Sequence, residues 1–78
     1  MSAEEQQVID KLLNVESGVT QQRAALKWLS EYLEQGYILN LRPSRAIMNA
    51  LEDFAEMPQI NATLSKRAVN LHKKYKPR

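Results

Sequence analysis

Few side chains in this 78-residue chain are of the types that carry out acid–base or nucleophilic chemistry. His72 is the single histidine, and it lacks the partners that a catalytic triad requires. Glu52 and Asp53 are neighbours, so on a helix they point in different directions and cannot share a proton as paired catalytic carboxylates do. The sequence therefore predicts a protein without enzyme activity.

No cofactor or metal ion is expected. The chain has no cysteine, and no set of His, Asp and Glu residues has the spacing of metal ligands. Two glycines are too few for a phosphate-binding loop. No stretch approaches the ~18 apolar residues of a membrane span, and the N-terminus does not resemble a signal peptide. We expect a soluble, intracellular protein with no small-molecule substrate and no membrane partner.

Charge is distributed unevenly, although the net charge is only +2. Residues 1–40 hold three basic and six acidic side chains, whereas residues 41–78 hold eight basic and three acidic ones. The basic excess is concentrated near the end of the chain, at Lys66, Arg67, Lys73 and Lys74. These side chains could steer an acidic partner, contact nucleic-acid phosphates or form a solvated face. A small basic nucleic-acid-binding domain is therefore an alternative function.

Apolar residues recur at helical spacing along the chain, which predicts an all-α protein. The first helix opens with a capping box between Ser2 and Glu5, and residues 15–18 break it. The second helix is predicted to run to about Glu34, with Gly36 as its C-terminal stop.

The second half of the chain is predicted to contain one short and two longer helices. Residues 37–41 are apolar and lie between two helix breakers, which favours one turn of helix packed into the core. Because a residue before proline avoids the helical conformation, the next helix is predicted over residues 43–56. The last helix is predicted to open at Pro58 or Asn61 and to end near Lys76.

A chain of this length forms one small domain, residues 1–78, and its two ends would suit a segment of a longer protein. Such a domain buries only about 60% of its unfolded surface, so the apolar stripes of the helices must supply the core. Trp28 is expected to be largely buried. The side chains predicted to be almost inaccessible are Leu26, Leu29, Ile47, Leu51, Phe54, Leu64 and Leu71.

The order of these residues resembles a known family. The resemblance rests on Ala25-Leu26…Leu29, on Ile47-Met48-Asn49-Ala50-Leu51 and on Leu71-His72-Lys73-Lys74-Tyr75-Lys76. These runs are similar to the N-terminal domain of transcription elongation factor TFIIS. Within that group they are most similar to the integrase-binding domain of lens epithelium-derived growth factor (LEDGF) and of hepatoma-derived growth factor-related proteins. The resemblance spans roughly residues 9 to 76.

The resemblance implies a compact right-handed bundle of four longer helices plus one short helix. It also implies a monomeric protein-interaction module of a nuclear transcription or chromatin cofactor. Such a module docks short disordered motifs of partner proteins in a pocket between two inter-helix loops.

The resemblance also implies a partner-binding site. In the first loop an aliphatic residue precedes an acid, which Val15 and Glu16 match. In the second loop Met57 matches a large apolar residue, and Ile60 or Gln59 matches a second position. Apolar side chains on two loops beside a carboxylate are typical of a motif pocket, although they could instead cap the core. A segment of a helical repeat array is a further interpretation, and it predicts an exposed apolar flank and self-association.

Overall fold

The computed structural model describes residues 3–57 and 61–76, and these residues form four α-helices and one 3₁₀ turn. No strand occurs in these two ranges, so the prediction of an all-α fold is confirmed. Ser2, Pro58, Gln59 and Ile60, which the sequence singled out, lie outside the described residues. The elements are α1 (Ala3–Leu13), the 3₁₀ turn (Val15–Ser17), α2 (Gly18–Ile38), α3 (Arg45–Glu56) and α4 (Ala62–Tyr75).

The core lies between the apolar faces of the four helices. In α3, Ile47, Leu51 and Phe54 have no exposed surface, because their spacing of three and four residues places them on one face. Six of the seven predicted core side chains are at most 1% exposed. The seventh, Leu71, is only partly buried and packs against the edge of the core.

Helices α1 and α2 run antiparallel. Beside the turn that joins them, Gln22 Nε2 donates a hydrogen bond to the Leu12 carbonyl oxygen at 3.3 Å. Further along α2, Trp28 Nε1 donates to Glu4 Oε1 near the start of α1, also at 3.3 Å. The Gln22 amide is buried, so the bond to α1 satisfies a polar group that would otherwise be costly to bury.

Helices α2 and α4 end at the same side of the bundle. Ser65 Oγ, in the first turn of α4, donates to the Ala55 carbonyl oxygen in the last turn of α3, so α4 runs back along α3. At the other end of α4, the Tyr75 ring meets the Tyr37 ring of α2, with 6.2 Å between their centroids. The 3₁₀ turn and Met57 therefore both lie towards the opposite end of the bundle.

The end of α2 corrects the predicted stop at Gly36. The helix continues to Ile38, and Asn40, with a φ of 60°, adopts the left-handed conformation that ends it. The Asn40 N–H donates to the Tyr37 carbonyl at 3.1 Å and the Leu41 N–H to the Gly36 carbonyl at 2.8 Å. This pair of bonds defines a Schellman motif, and asparagine tolerates its left-handed position better than most residues do.

The prediction that residues 37–41 pack into the core was wrong, and the separate short helix predicted there is not confirmed. Tyr37, Ile38, Leu39 and Leu41 are between 63% and 73% exposed. The reason is a difference in helix length. Helix α2 has 21 residues and α1 has 11, which correspond to about 32 Å and about 16 Å. The last turns of α2 therefore extend beyond the described part of α1, and their apolar side chains are left exposed.

The other helix ends are close to their predicted positions. Helix α3 ends at Glu56 as predicted but begins two residues later, at Arg45, because Ser44 has an extended backbone with a ψ of 134°. Of the two predicted starts for α4, Asn61 is the N-cap. Its side-chain oxygen accepts the N–H groups of Thr63 at 2.9 Å and Leu64 at 3.3 Å.

Replacement of Phe54 by alanine tests the core. We expect Phe54→Ala to lower the free energy of unfolding by ~3–5 kcal/mol, because it leaves a cavity among fully buried side chains. Urea denaturation measures this loss. Val69→Ala, at a partly exposed position of α4, is the control and should change stability by less than ~0.5 kcal/mol. A Phe54→Ala protein as stable as the parent would contradict the packing described above.

Replacement of Asn61 tests the start of α4. Asn61→Ala removes the side-chain acceptor of two backbone N–H groups, so we expect a loss of ~1 kcal/mol in the free energy of unfolding. Asn70→Ala makes the same chemical change at an exposed position in the middle of α4, where alanine is the better helix former. It should leave stability unchanged or slightly raised. Equal losses in the two variants would show that Asn61 is not the cap.

Candidate functional site

The predicted residues Val15 and Glu16 lie on the 3₁₀ turn between α1 and α2. Val15 is 62% exposed, so it does not cap the core. Asn14 holds the turn in place, because its side-chain oxygen accepts the Glu16 N–H at 3.0 Å and its carbonyl accepts the Ser17 N–H at 3.0 Å. The exposed Glu16 carboxylate makes no hydrogen bond or ion pair within residues 3–57 and 61–76. It is therefore available to a ligand.

Met57, the third predicted residue, is the C-cap of α3. Its N–H donates to the Phe54 carbonyl at 3.2 Å, and its side chain is partly buried against the core. It lies towards the same end of the bundle as the 3₁₀ turn, which itself packs against α1 and α2. Ile60, the fourth residue, is outside the described ranges. The structure thus places three of the four predicted residues, Val15, Glu16 and Met57, at the same end of the bundle.

The four predicted basic residues are all exposed on α4. Residues seven apart lie on nearly the same side of a helix, so Lys66 aligns with Lys73 and Arg67 aligns with Lys74. The row of Arg67 and Lys74 borders α2, where both residues line a small groove with Ser30. The two rows are about 100° apart around α4, and the exposed Asn70 lies between them.

A second concave surface, which the sequence did not predict, lies at the opposite end of the bundle. It is a cavity of about 650 Å³ between the ends of α2 and α4 and the connection that follows α2. Leu33 and Tyr75, which are 4% and 7% exposed, are buried at its base. Tyr37, Leu39 and Leu41 line it and are exposed.

The charged residues that line this cavity are all basic. Arg42, Lys74 and Lys76 contribute to its lining, and no acidic residue in the described part of the chain does so. The Lys74 ammonium group also lies 5.3 Å from the centroid of the Tyr75 ring, within the range of a cation–π contact. The cavity therefore combines an apolar base with a positive border.

Tyr32 links this cavity to helix α1. Its ring stacks on Trp28, with 4.9 Å between the centroids and 12° between the planes. Its hydroxyl donates to Glu5 Oε2 at 3.3 Å. Trp28, which was expected to be largely buried, has intermediate exposure and packs against the core, and its indole N–H donates to the exposed Glu4 carboxylate. The aromatic pair thus ties the middle of α2 to the first turn of α1.

In residues 3–57 and 61–76, no three His, Cys, Asp or Glu side chains are grouped so that they could hold a metal ion. His72 Nε2 lies 3.9 Å from Glu52 Oε2, where α4 faces the acidic side of α3. None of the described helices has the length and apolar character needed to cross a membrane.

Function must be argued from these two surfaces. Comparison with protein-family models, with curated proteins and with solved structures gave no significant match. One surface is the loop end with an exposed aliphatic residue beside a carboxylate, and the other is the apolar cavity with a basic border. Both have the features of sites that bind peptide segments.

The Tyr32–Glu5 hydrogen bond makes stability depend on pH. Burial, the charge of Glu5 and the hydrogen bond to Glu5 raise the pKa of the Tyr32 hydroxyl above its usual value of about 10. Above that pH the unfolded chain loses this proton while the folded protein keeps it. The stabilisation is therefore complete below about pH 10 and is lost as the pH rises through the folded-state pKa.

Urea denaturation between pH 8 and pH 11 tests this linkage. The stability difference between the parent and Tyr32→Phe should shrink as the pH rises past about 10. Tyr37→Phe, which keeps the Tyr32–Glu5 bond, is the control and should follow the parent across this range. A difference for Tyr32→Phe that stays constant or grows would contradict the assigned bond.

Proposed function

We propose that the protein is an interaction module that docks short disordered motifs of partner proteins between the α1–α2 and α3–α4 connections. The observation that supports this proposal most directly is the 62% exposure of Val15 on a turn held by Asn14. A large aliphatic side chain on a fixed turn is an anchor point for a ligand. Because the turn is already ordered, this protein loses little conformational entropy when a partner binds there.

The neighbouring carboxylate of Glu16 completes the proposed contact. A partner in an extended conformation inserts aromatic or aliphatic side chains against Val15, Met57 and Ile60, while its backbone N–H groups donate to Glu16. Hydrogen bonds to an ionised acceptor are stronger than neutral ones, so Glu16 fixes the orientation of the partner backbone. The apolar contacts supply most of the affinity, as is usual for a small interface.

The cellular setting of the proposal comes from the resemblance to the TFIIS N-terminal domain and the LEDGF integrase-binding domain. It implies a monomeric module of a nuclear transcription or chromatin cofactor. The right-handed winding of the bundle and its additional short helix belong to the same proposal. Partners are then short disordered motifs of transcription or chromatin proteins.

A nucleic-acid-binding domain is the second candidate, and the exposed Lys66, Arg67, Lys73 and Lys74 favour it. One feature counts against it. Glu52 of α3 lies 3.9 Å from His72 of α4, so an acidic side chain lies beside this basic helix. Phosphate binding weakens steeply with salt, with a slope of about −0.9 per neutralised phosphate, whereas binding in an apolar loop pocket responds little. A salt titration therefore separates the two candidates.

Variants at the loop end test the proposed function. Peptides are selected on the parent protein from a random library, and their Kd values are measured by fluorescence anisotropy. For peptides that bind the loop end, Glu16→Ala should weaken binding about ten-fold or more, because it removes a charge-assisted hydrogen bond worth ~1.5–3 kcal/mol. Met57→Ala should also weaken binding, and the melting temperature of Glu16→Ala should match that of the parent.

Glu34→Ala is the matched control, since Glu34 is an exposed acid at the other end of α2. It should leave the affinity of these peptides unchanged. Changing Lys73 and Lys74 together should mainly slow association at low salt. If this lysine change abolished binding of every selected peptide while Glu16→Ala had no effect, the loop end would not be the site.

A further inference from the structure

We propose that the opposite end of the bundle is a second docking surface, which binds an acidic peptide segment through aromatic or aliphatic side chains. The surface consists of Tyr37, Leu39, Leu41, Arg42, Lys74 and Lys76, and is called the α2–α4 end below. It is distinct from the loop-end pocket, because it lies where α2 and α4 end and not where they begin.

The first argument is the amount of apolar surface left exposed. Single exposed apolar side chains are common and need no explanation, but a contiguous group of large ones marks an interaction site. Tyr37, Leu39 and Leu41 are 73%, 68% and 63% exposed and line one cavity. Its volume of about 650 Å³ lies within the range of about 300–1,000 Å³ that is typical of ligand sites.

The second argument is that this surface is held in one conformation. Three backbone hydrogen bonds close the end of α2, since the N–H groups of Leu39, Asn40 and Leu41 donate to carbonyl groups of the last helical turn at 2.8–3.1 Å. The buried Tyr75 ring supports Tyr37 from the side of α4. A partner therefore meets leucine side chains on an ordered backbone, which lowers the entropic cost of binding.

The third argument is charge, and it identifies the occupant. Arg42, Lys74 and Lys76 line the cavity, and no acid in the described ranges does. Arginine pairs with carboxylates through two parallel hydrogen bonds, so Arg42 favours a peptide with Asp or Glu beside its apolar anchors. A second copy of the chain fits less well, because a two-fold contact would bring these basic groups against their own copies.

The test uses a display library of random 12-residue peptides, selected in parallel on three forms of the protein. The forms are the parent, the charge-reversal variant Arg42→Glu/Lys74→Glu and the loop variant Val15→Ser/Glu16→Ala. The substituted side chains are all exposed, and equal melting temperatures confirm that each form is folded.

The parent should enrich peptides that combine acidic with aromatic or aliphatic residues. The loop variant should retain this group, and the charge-reversal variant should lose it. For individual peptides of the group, Arg42→Glu should raise Kd at least ten-fold. Arg42→Lys should raise Kd less, because lysine keeps the positive charge but lacks the two parallel N–H donors of the guanidinium group. Leu39→Ser/Leu41→Ser should abolish binding without reversing any charge.

Each of three outcomes of the peptide selection would overturn the proposal. The parent enriches no acidic–apolar peptides, or the charge-reversal variant retains them, or the loop variant alone loses them. The last outcome would leave the proposed loop-end function standing. Conversely, if the parent enriched only acidic–apolar peptides and the loop variant retained all of them, the proposed function would be removed and this inference kept. Sedimentation of the parent that reveals a dimer abolished by Leu39→Ser/Leu41→Ser would identify a second copy as the occupant and overturn the acidic-peptide assignment.

Discussion

The burial of one face of α3 is the constraint on which the rest of the structure depends. Ile47, Leu51 and Phe54 have no exposed surface, and α3 packs against both α1 and α4. Protein interiors are close-packed, so these side chains determine where the neighbouring helices can lie. The exposed apolar side chains at the two ends of the bundle, such as Val15 and Leu39, lie outside this buried core. They are available for binding.

The two ends differ because the helices differ in length. At the end where α2 begins, a 3₁₀ turn held by Asn14 presents Val15 and Glu16. At the end where α2 stops, the helix extends past the described part of α1, and its last turn meets α4 and the following connection. The first end presents a carboxylate and the second presents basic groups. We infer that the two ends bind peptides of different chemistry.

The sequence predicted the structural features that depend on local periodicity, such as the buried face of α3. It missed the features that depend on which helices lie side by side, such as the exposure of the end of α2. The fully buried side chains of α3 follow from apolar spacing alone, and the cap at Asn61 from residue type. Gly36 is the helix stop that the sequence predicts, yet glycine tolerates a helical conformation, and Asn40 takes the left-handed position that ends α2. The exposure of residues 37–41 depends on the length of α2 relative to α1. The residue pattern of α2 alone therefore could not predict it. The assignment of Val15 and Glu16 to a binding site came from the family resemblance, and the position of Val15 beyond the first helix agreed with it.

The central claim is that one folded bundle carries two separate docking surfaces at opposite ends. The most direct measurement is an NMR map of backbone amide shifts in isotope-labelled protein titrated with peptides selected on it. The account predicts two non-overlapping sets of perturbed residues. One contains residues 14–17 with Met57, and the other contains residues 36–44 with 73–76. A single set common to all peptides, or shifts centred on the acidic side of α3 at Glu52 and Asp53, would contradict it.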